Sequence, residues 1–322
     1  MMLNYVIRRV GISLLTIFVI ITVTFFLMYM LPGTPFLGDR PLPEAVVAAA
    51  NAKYGLDKPI AERYIIYLSN IIHGDFGTST VYTNRDVTSI IKTAFPVSAS
   101  LGIRALIFGV TGGILLGIYS ALHHNKLGDS VSTVVAIIGV SIPSFILGTM
   151  LQYALGVKVS GLFKDIFNTD YQLFPLARWE SFRYTLIPTF VLGLGSLAGV
   201  MRMMRSSMLE VVNQDYIKTA KSKGLGGTAI TWRHMARNAI MPVYTVVGTM
   251  TGVILTGSFV IENIFSIPGL GKYFVNSVSS RDYPMTIGLT LFFAIFIVFV
   301  NMFIDLGYGL IDPRIRIAKG EK

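Results

Sequence analysis

At 322 residues, 53% hydrophobic and 14% charged, with a mean hydropathy of +0.64, the chain is too apolar for a water-soluble domain; such domains carry about 25% charged residues. Its net charge of +10 raises nucleic acid as a partner, but in a polytopic membrane protein excess Lys and Arg marks cytoplasmic loops. The absence of cysteine excludes disulfides, thiolate metal sites and thiol catalysis.

The apolar residues gather in runs of about 20, the length that crosses a bilayer. They predict an all-α polytopic membrane protein with six spans, at 10–31, 97–122, 131–157, 186–209, 242–264 and 286–311. Arg8 and Arg9 precede the first run as in a secretory signal. That run is longer than a signal core, and Pro32-Gly33-Thr34-Pro35 follows in place of a cleavage site, so an uncleaved span is expected. With residues 1–9 inside, the segments 1–9, 123–130, 201–241 and 312–322 hold 14 Lys and Arg in about 70 residues; the opposite loops hold 12 in about 115. Both termini are therefore expected in the cytoplasm.

The first external loop, 32–96, has helical composition at 43–54 and 58–72. In the second stretch Ile60, Tyr64, Tyr67, Leu68 and Ile71 share one face. Such a helix covers the bilayer interface or docks an external partner. Small-residue ladders follow at Gly109/Gly113/Gly117, Gly195/Gly199 and Gly248/Gly252, spacings that let helices approach closely. Pro143 is expected to kink the third span, either for packing or to line a translocation path. Arg104, Glu262 and Asp305 lie in or near spans. Depth allows Arg104 to meet Glu262 but not Asp305, and interface snorkelling is the plainer role for such groups.

Enzyme signatures are missing: the sequence has no GxSxG, HExxH or phosphate-binding GxxxxGK[ST]. His123 and His124 are adjacent, which points them to different sides of a helix and argues against a shared metal. What stands out is the basic stretch 202–242. A helix over 210–223 is expected to end at Gly224; Leu225-Gly226-Gly227 turns the chain, and Thr228 starts a second helix to about Ala239, with Pro242 opening the fifth span. This predicts a stiff elbow joined to two spans, on which a partner pushes, or a basic loop lying on anionic headgroups.

The elbow, "DYIKTAKSKGL" followed by "RHMARNAIMP", resembles the EAA loop of ABC-importer permeases, in the oligopeptide/dipeptide (OppB/DppB-type) branch. The likeness runs along the chain through "LPGTPF", "YGLDKP", "GDFGTS", "FPVSASLG", "VSIPSF", "RSSMLEV", "ENIFSIPGLG", "RDYP" and "DPRIR", and is strongest to the OppB type. Lys218-Thr219-Ala220 stands where Glu-Ala-Ala is general, and the stretch from Gly224 to Pro242 is longer than in many importers.

The resemblance implies a type I ABC importer permease fold, with a permease core at 97–311. It implies a non-catalytic subunit that binds no cofactor itself. ATP and Mg2+ would sit in two OppD- and OppF-type ATPases, a homologous OppC-type permease would complete the pore, and an extracytoplasmic OppA-type protein would deliver peptide. It assigns coupling to Tyr216, Ala220, Lys223, Gly224, Leu225, Gly226 and Arg233. Gate or path candidates are Pro143, Met204, Arg205, Glu262, Pro268 and Gly269. Dipeptide or nickel permeases of the same family, and a stand-alone secondary transporter, are the alternatives.

Overall fold

The computed structural model describes residues 2–30, 58–82, 85–168 and 179–311, with isolated positions between them. In chain order the helices are α1 (Met2–Met30), α2 (Ile60–Ile72), α3 (Val87–Leu122), α4 (Leu127–Ser141), α5 (Ser144–Phe167), α6 (Phe182–Val212), α7 (Asp215–Ser222), α8 (Gly227–Leu255), α9 (Phe259–Ile264), α10 (Leu270–Ser279) and α11 (Tyr283–Ile311). Among the described residues the extended structure is an isolated bridge, Thr78 to Asp86. Six helices are long and apolar enough to cross a membrane: Asn4–Leu27, Val87–Leu122, Ser144–Phe167, Phe182–Val212, Gly227–Leu255 and Tyr283–Gly307. The expected number of spans is therefore met.

Several expected boundaries change. The second span starts at Val87 rather than 97, with Pro96 inside its helix. The third span is broken outright: Ile142 is extended (φ −86°, ψ 120°) and Pro143 caps a new helix. A residue before proline is pushed out of the helical region, so the chain restarts instead of kinking. The elbow's first helix, expected over 210–223, is interrupted at Asn213-Gln214 and resumes as α7. The fifth span does not begin at Pro242, which lies inside α8, and it ends at Leu255 rather than 264, before Gly257 at φ 96°. Ala239 and Val243, each 1% exposed, flank Pro242, and packing holds the helix through the lost donor. The expected helix at 43–54 lies largely outside the described residues; the "LPGTPF" exit and the 312–322 tail lie wholly outside them.

The chain forms two compact units, one of residues 1–98 with 269–322 and one of 99–268. In the first, α1 packs along α11, where Arg9 pairs with Asp305 and the Tyr5 hydroxyl donates to the Asp305 carbonyl at 3.0 Å. The expected amphipathic helix forms and sets its aromatic face on α1. Tyr64 and Tyr67 of α2 lie 5.2 and 5.3 Å from the Phe25 ring, and the Tyr64 hydroxyl shares a 2.7 Å bond with Thr22 of α1. Burial pushes the Tyr67 phenol up to about 12. Two distant motifs meet here. Asp282 of "RDYP" accepts from the Ser79 hydroxyl and the Thr80 amide of the 77–82 turn, and from the Met285 amide at the start of α11.

In the second unit α3 and α6 run side by side in the same direction. A Cβ added at Gly109 would stand 2.6 Å from the Gly193 carbonyl; at Gly113 and Gly117 it would stand 2.8 Å from those of Leu197 and Met201. The first ladder is thus a helix seam. The second was misread in part: Gly195 faces open space, and Gly193 is the α6 glycine in the seam. Gly199 instead receives the Met250 side chain from α8. Gly248 and Gly252 are buried on α8, and Gly102 of α3 abuts the Ile254 backbone.

Candidate functional site

The elbow follows from local chemistry. Asp215 supplies an acid to the first turn of α7 and Lys221 a base to its last, matching the helix dipole. Gly224 then takes φ +75°, which costs a side-chain-bearing residue about 1–2 kcal/mol. Its amide donates to the Lys221 carbonyl at 3.0 Å and the Leu225 amide to the Ala220 carbonyl at 3.3 Å, the crossed pair of a Schellman stop. Gly226 caps α8, whose second turn opens into a π-helical stretch at Ile230–Ala236.

α7 has two faces. Ile217 and Ala220 are buried in a core with Met204 and Met208 of α6, Ile118 of α3, and Ile230 and Met235 of α8. Tyr216, Lys223, Gly224, Leu225, Gly226 and Arg233 are exposed. Six of the seven expected coupling residues are therefore open to the surface of this chain. Ala220, 5% exposed, is not: its small side chain fits the elbow against its own helices. Trp232, half exposed, stands next to Arg233.

Beneath the elbow lies a polar cluster that the sequence did not reveal. The carboxylate of Asp129, at the start of α4, accepts from Arg205 of α6 at 2.7 Å through both Nε and Nη2. It accepts also from the Ser120 hydroxyl at 2.5 Å and the Asn125 amide at 3.1 Å. His124 Nδ1 lies 3.2 Å from the carboxylate and 3.1 Å from Arg205 Nη2; it donates to the first when protonated there and accepts from the second when not. The Arg205 guanidinium, foremost, holds the Asp129 carboxyl well below the usual carboxylate range, against the opposing push of burial; Ser120, Asn125 and His124 add to the lowering. The arrangement fastens the ends of α3, α4 and α6 to one another. A lone acid in the short basic segment 123–130 was the available signal.

The gate candidates occupy different surroundings. Met204 is fully buried in the elbow core, against Gly117, so it lines no surface of this chain. Arg205 is committed to Asp129. Pro143 is exposed at the break between α4 and α5. Glu262 is fully buried on α9, and its carbonyl accepts from the Ile267 amide at 2.8 Å. Pro268 is exposed, while Gly269 is buried as the cap of α10. Among the described residues no group of three His, Cys, Asp or Glu is placed to hold a metal.

Residues 113–317 match the family described as binding-protein-dependent transport system inner membrane component, and residues 2–102 match the N-terminal model of such membrane components. The dipeptide transport system permease protein DppB of Bacillus subtilis is 44% identical over 320 residues, 99% of either chain. The oligopeptide transport system permease protein OppB of Haemophilus influenzae is 37% identical over 317 residues, 98% of this chain and all of that one. A crystal structure of an amino acid ABC transporter shares the fold with a TM-score of 0.51 at 15% identity, over 69% of this chain and 94% of its own. With a family model spanning well over half the chain and full-length relatives near 40% identity, this multi-pass protein belongs to the binding-protein-dependent transport system inner membrane components.

Proposed function

We propose that the chain is a permease subunit of an ATP-driven peptide importer, forming half of the translocation path and taking force from ATPase subunits at the 215–242 elbow. The observation that carries this is the end-to-end likeness to two peptide permeases, at 44% and 37% identity. The geometry adds a mechanical reason: the elbow's outward face is free of its own core, while its inward face is packed on α3, α6 and α8. A push on the first is delivered to the second. An importer must stabilise two packed states unequally, and ATP-driven closure of the motors supplies the difference.

In this assembly both termini are cytoplasmic. A homologous OppC-type permease completes the path, OppD- and OppF-type ATPases bind ATP and Mg2+, and an OppA-type protein delivers peptide outside. The chain itself binds no cofactor and does no catalysis. Oligopeptides are the first reading of the substrate; the 44% identity to a dipeptide permease favours dipeptides as the second. Uptake of labelled di-, tri- and penta-alanine into ATP-loaded proteoliposomes bearing the whole complex decides both questions. ATP-dependent uptake of penta-alanine supports the first reading, and uptake confined to di-alanine supports the second. Ion-coupled uptake by this chain alone sinks the proposal.

A further inference from the structure

Within the 99–268 unit, α3, α5 and α6 line an open-sided pocket of about 670 Å³, within the range of small-molecule sites, about 300–1,000 Å³. Its walls are apolar: Leu151 and Leu155 come from α5, where the helix loosens into a π stretch at Gln152–Val159, and Leu186 and Phe190 come from α6. Arg104 of α3 supplies the cation. The glycine seam sets Arg104's backbone level with Thr189. Its guanidinium nevertheless lies 5.7 Å from the ring of Phe182, seven residues earlier on α6 and about 10 Å along the axis. It also lies 5.4 Å from the ring of Trp179. The side chain therefore runs along the cavity and carries its charge to the end of α6 away from the elbow, where aromatic residues mark the membrane interface. Among the described residues no carboxylate lies within ion-pair distance of it.

The geometry points to a binding site for an anionic phospholipid, its phosphate on the Arg104 guanidinium and one acyl chain in the cavity. An arginine's fork suits a phosphate, and stacking on two rings fixes its plane. The walls discriminate between occupants. A peptide would leave its amide groups unpaired against leucine and phenylalanine, whereas an acyl chain has nothing to leave unpaired. On this proposal Arg104 takes the interface role, at the Trp179 and Phe182 rings, rather than a pairing with Glu262 at depth.

The chain's two tryptophans, Trp179 and Trp232, provide the test. In a Trp232→Phe background Trp179 is the sole tryptophan reporter. The full chain is reconstituted in phosphatidylcholine vesicles containing phosphatidylglycerol or phosphatidylcholine brominated on the acyl chain. Half-maximal quenching is expected at about a fivefold lower mole fraction of the brominated phosphatidylglycerol. Arg104→Gln is expected to erase the preference, and Arg104→Lys, which keeps the charge but not the fork, to retain part of it. Circular dichroism confirms that each variant is folded. Equal quenching by the two lipids in the parent, a preference that survives Arg104→Gln in folded protein, or relief of quenching by added tetra-alanine overturns the assignment.

Discussion

Arg205 and Asp129 stand 76 residues apart and meet through two 2.7 Å bonds directly beneath the elbow. Met204, the neighbour of Arg205, is packed in the elbow's own core, so the ion pair and the elbow share one segment of α6. A rotation of the elbow that moves α6 therefore also loads α4 and the end of α3. Removing one partner leaves either a buried carboxylate or a partly buried guanidinium without its counter-ion and costs about 2–3 kcal/mol. Asp129→Asn and Arg205→Gln are each expected to lower the thermal stability of the purified chain by that much. In the assembled transporter they are expected to leave basal ATPase activity in place and to weaken its stimulation by peptide. The exchange Asp129→Arg with Arg205→Asp is expected to restore part of the stimulation; no recovery in a stably folded double variant would refute the pairing as a joint.

The same pair predicts a pH profile. Asp129's carboxyl titrates lower in the folded chain than in the unfolded one. Its stabilisation is therefore complete above the unfolded value of about 3.9 and declines as pH falls from there toward the folded one. The stability gap between parent and Asp129→Asn should stay constant from pH 8 to pH 5 and narrow below pH 4, read by thermal unfolding in detergent. A gap that narrows between pH 8 and 6 assigns the effect to another group.

The glycine seam makes a contrast within one helix pair. Gly113→Ala puts a methyl 2.8 Å from the Leu197 carbonyl and is expected to cost about 1–3 kcal/mol by overpacking. Gly195→Ala meets nothing within 4 Å and is expected to gain up to about 1 kcal/mol from helix propensity. Thermal unfolding of the two variants side by side checks the sign of each.

These positions also show what was legible beforehand. Span number could be read because apolar run length answers directly to bilayer thickness, and the Gly224 stop because one backbone conformation demands glycine. The α2 face was readable because Tyr64 and Tyr67 repeat at helical spacing. Gly195 was misassigned because a ladder fixes spacing but not which face meets a neighbour; the true seam residue, Gly193, lies two positions away. The break at Ile142 was read as a kink because proline alone does not say whether the helix resumes. Asp129 stayed hidden because its partner comes from a helix 76 residues later, and no local pattern encodes that meeting. The roles of Met204 and Ala220 were inferred from a motif, which locates the elbow without saying which side chains turn inward.

A substitution at Gly224 tests force transmission apart from folding. The glycine's φ of +75° is hostile to other residues, but nothing lies within 4 Å of the Cβ it lacks. Substitution therefore carries a backbone cost of about 1–2 kcal/mol and no steric clash. Gly224→Asp is expected to insert in the membrane with the rest of the fold intact. It also places an acid on the elbow's open, basic face, between Lys223 and Leu225. Docking of the ATPases should weaken and peptide-stimulated ATP hydrolysis should be lost. Ala220→Leu makes the opposite lesion: it overfills the core formed with Met204, Met208 and Met235, and should lower thermal stability before it touches the outer surface. Co-purification of the ATPases with each variant, set against its unfolding temperature, reads the two effects apart. Full peptide uptake by Gly224→Asp would remove the elbow from the coupling path.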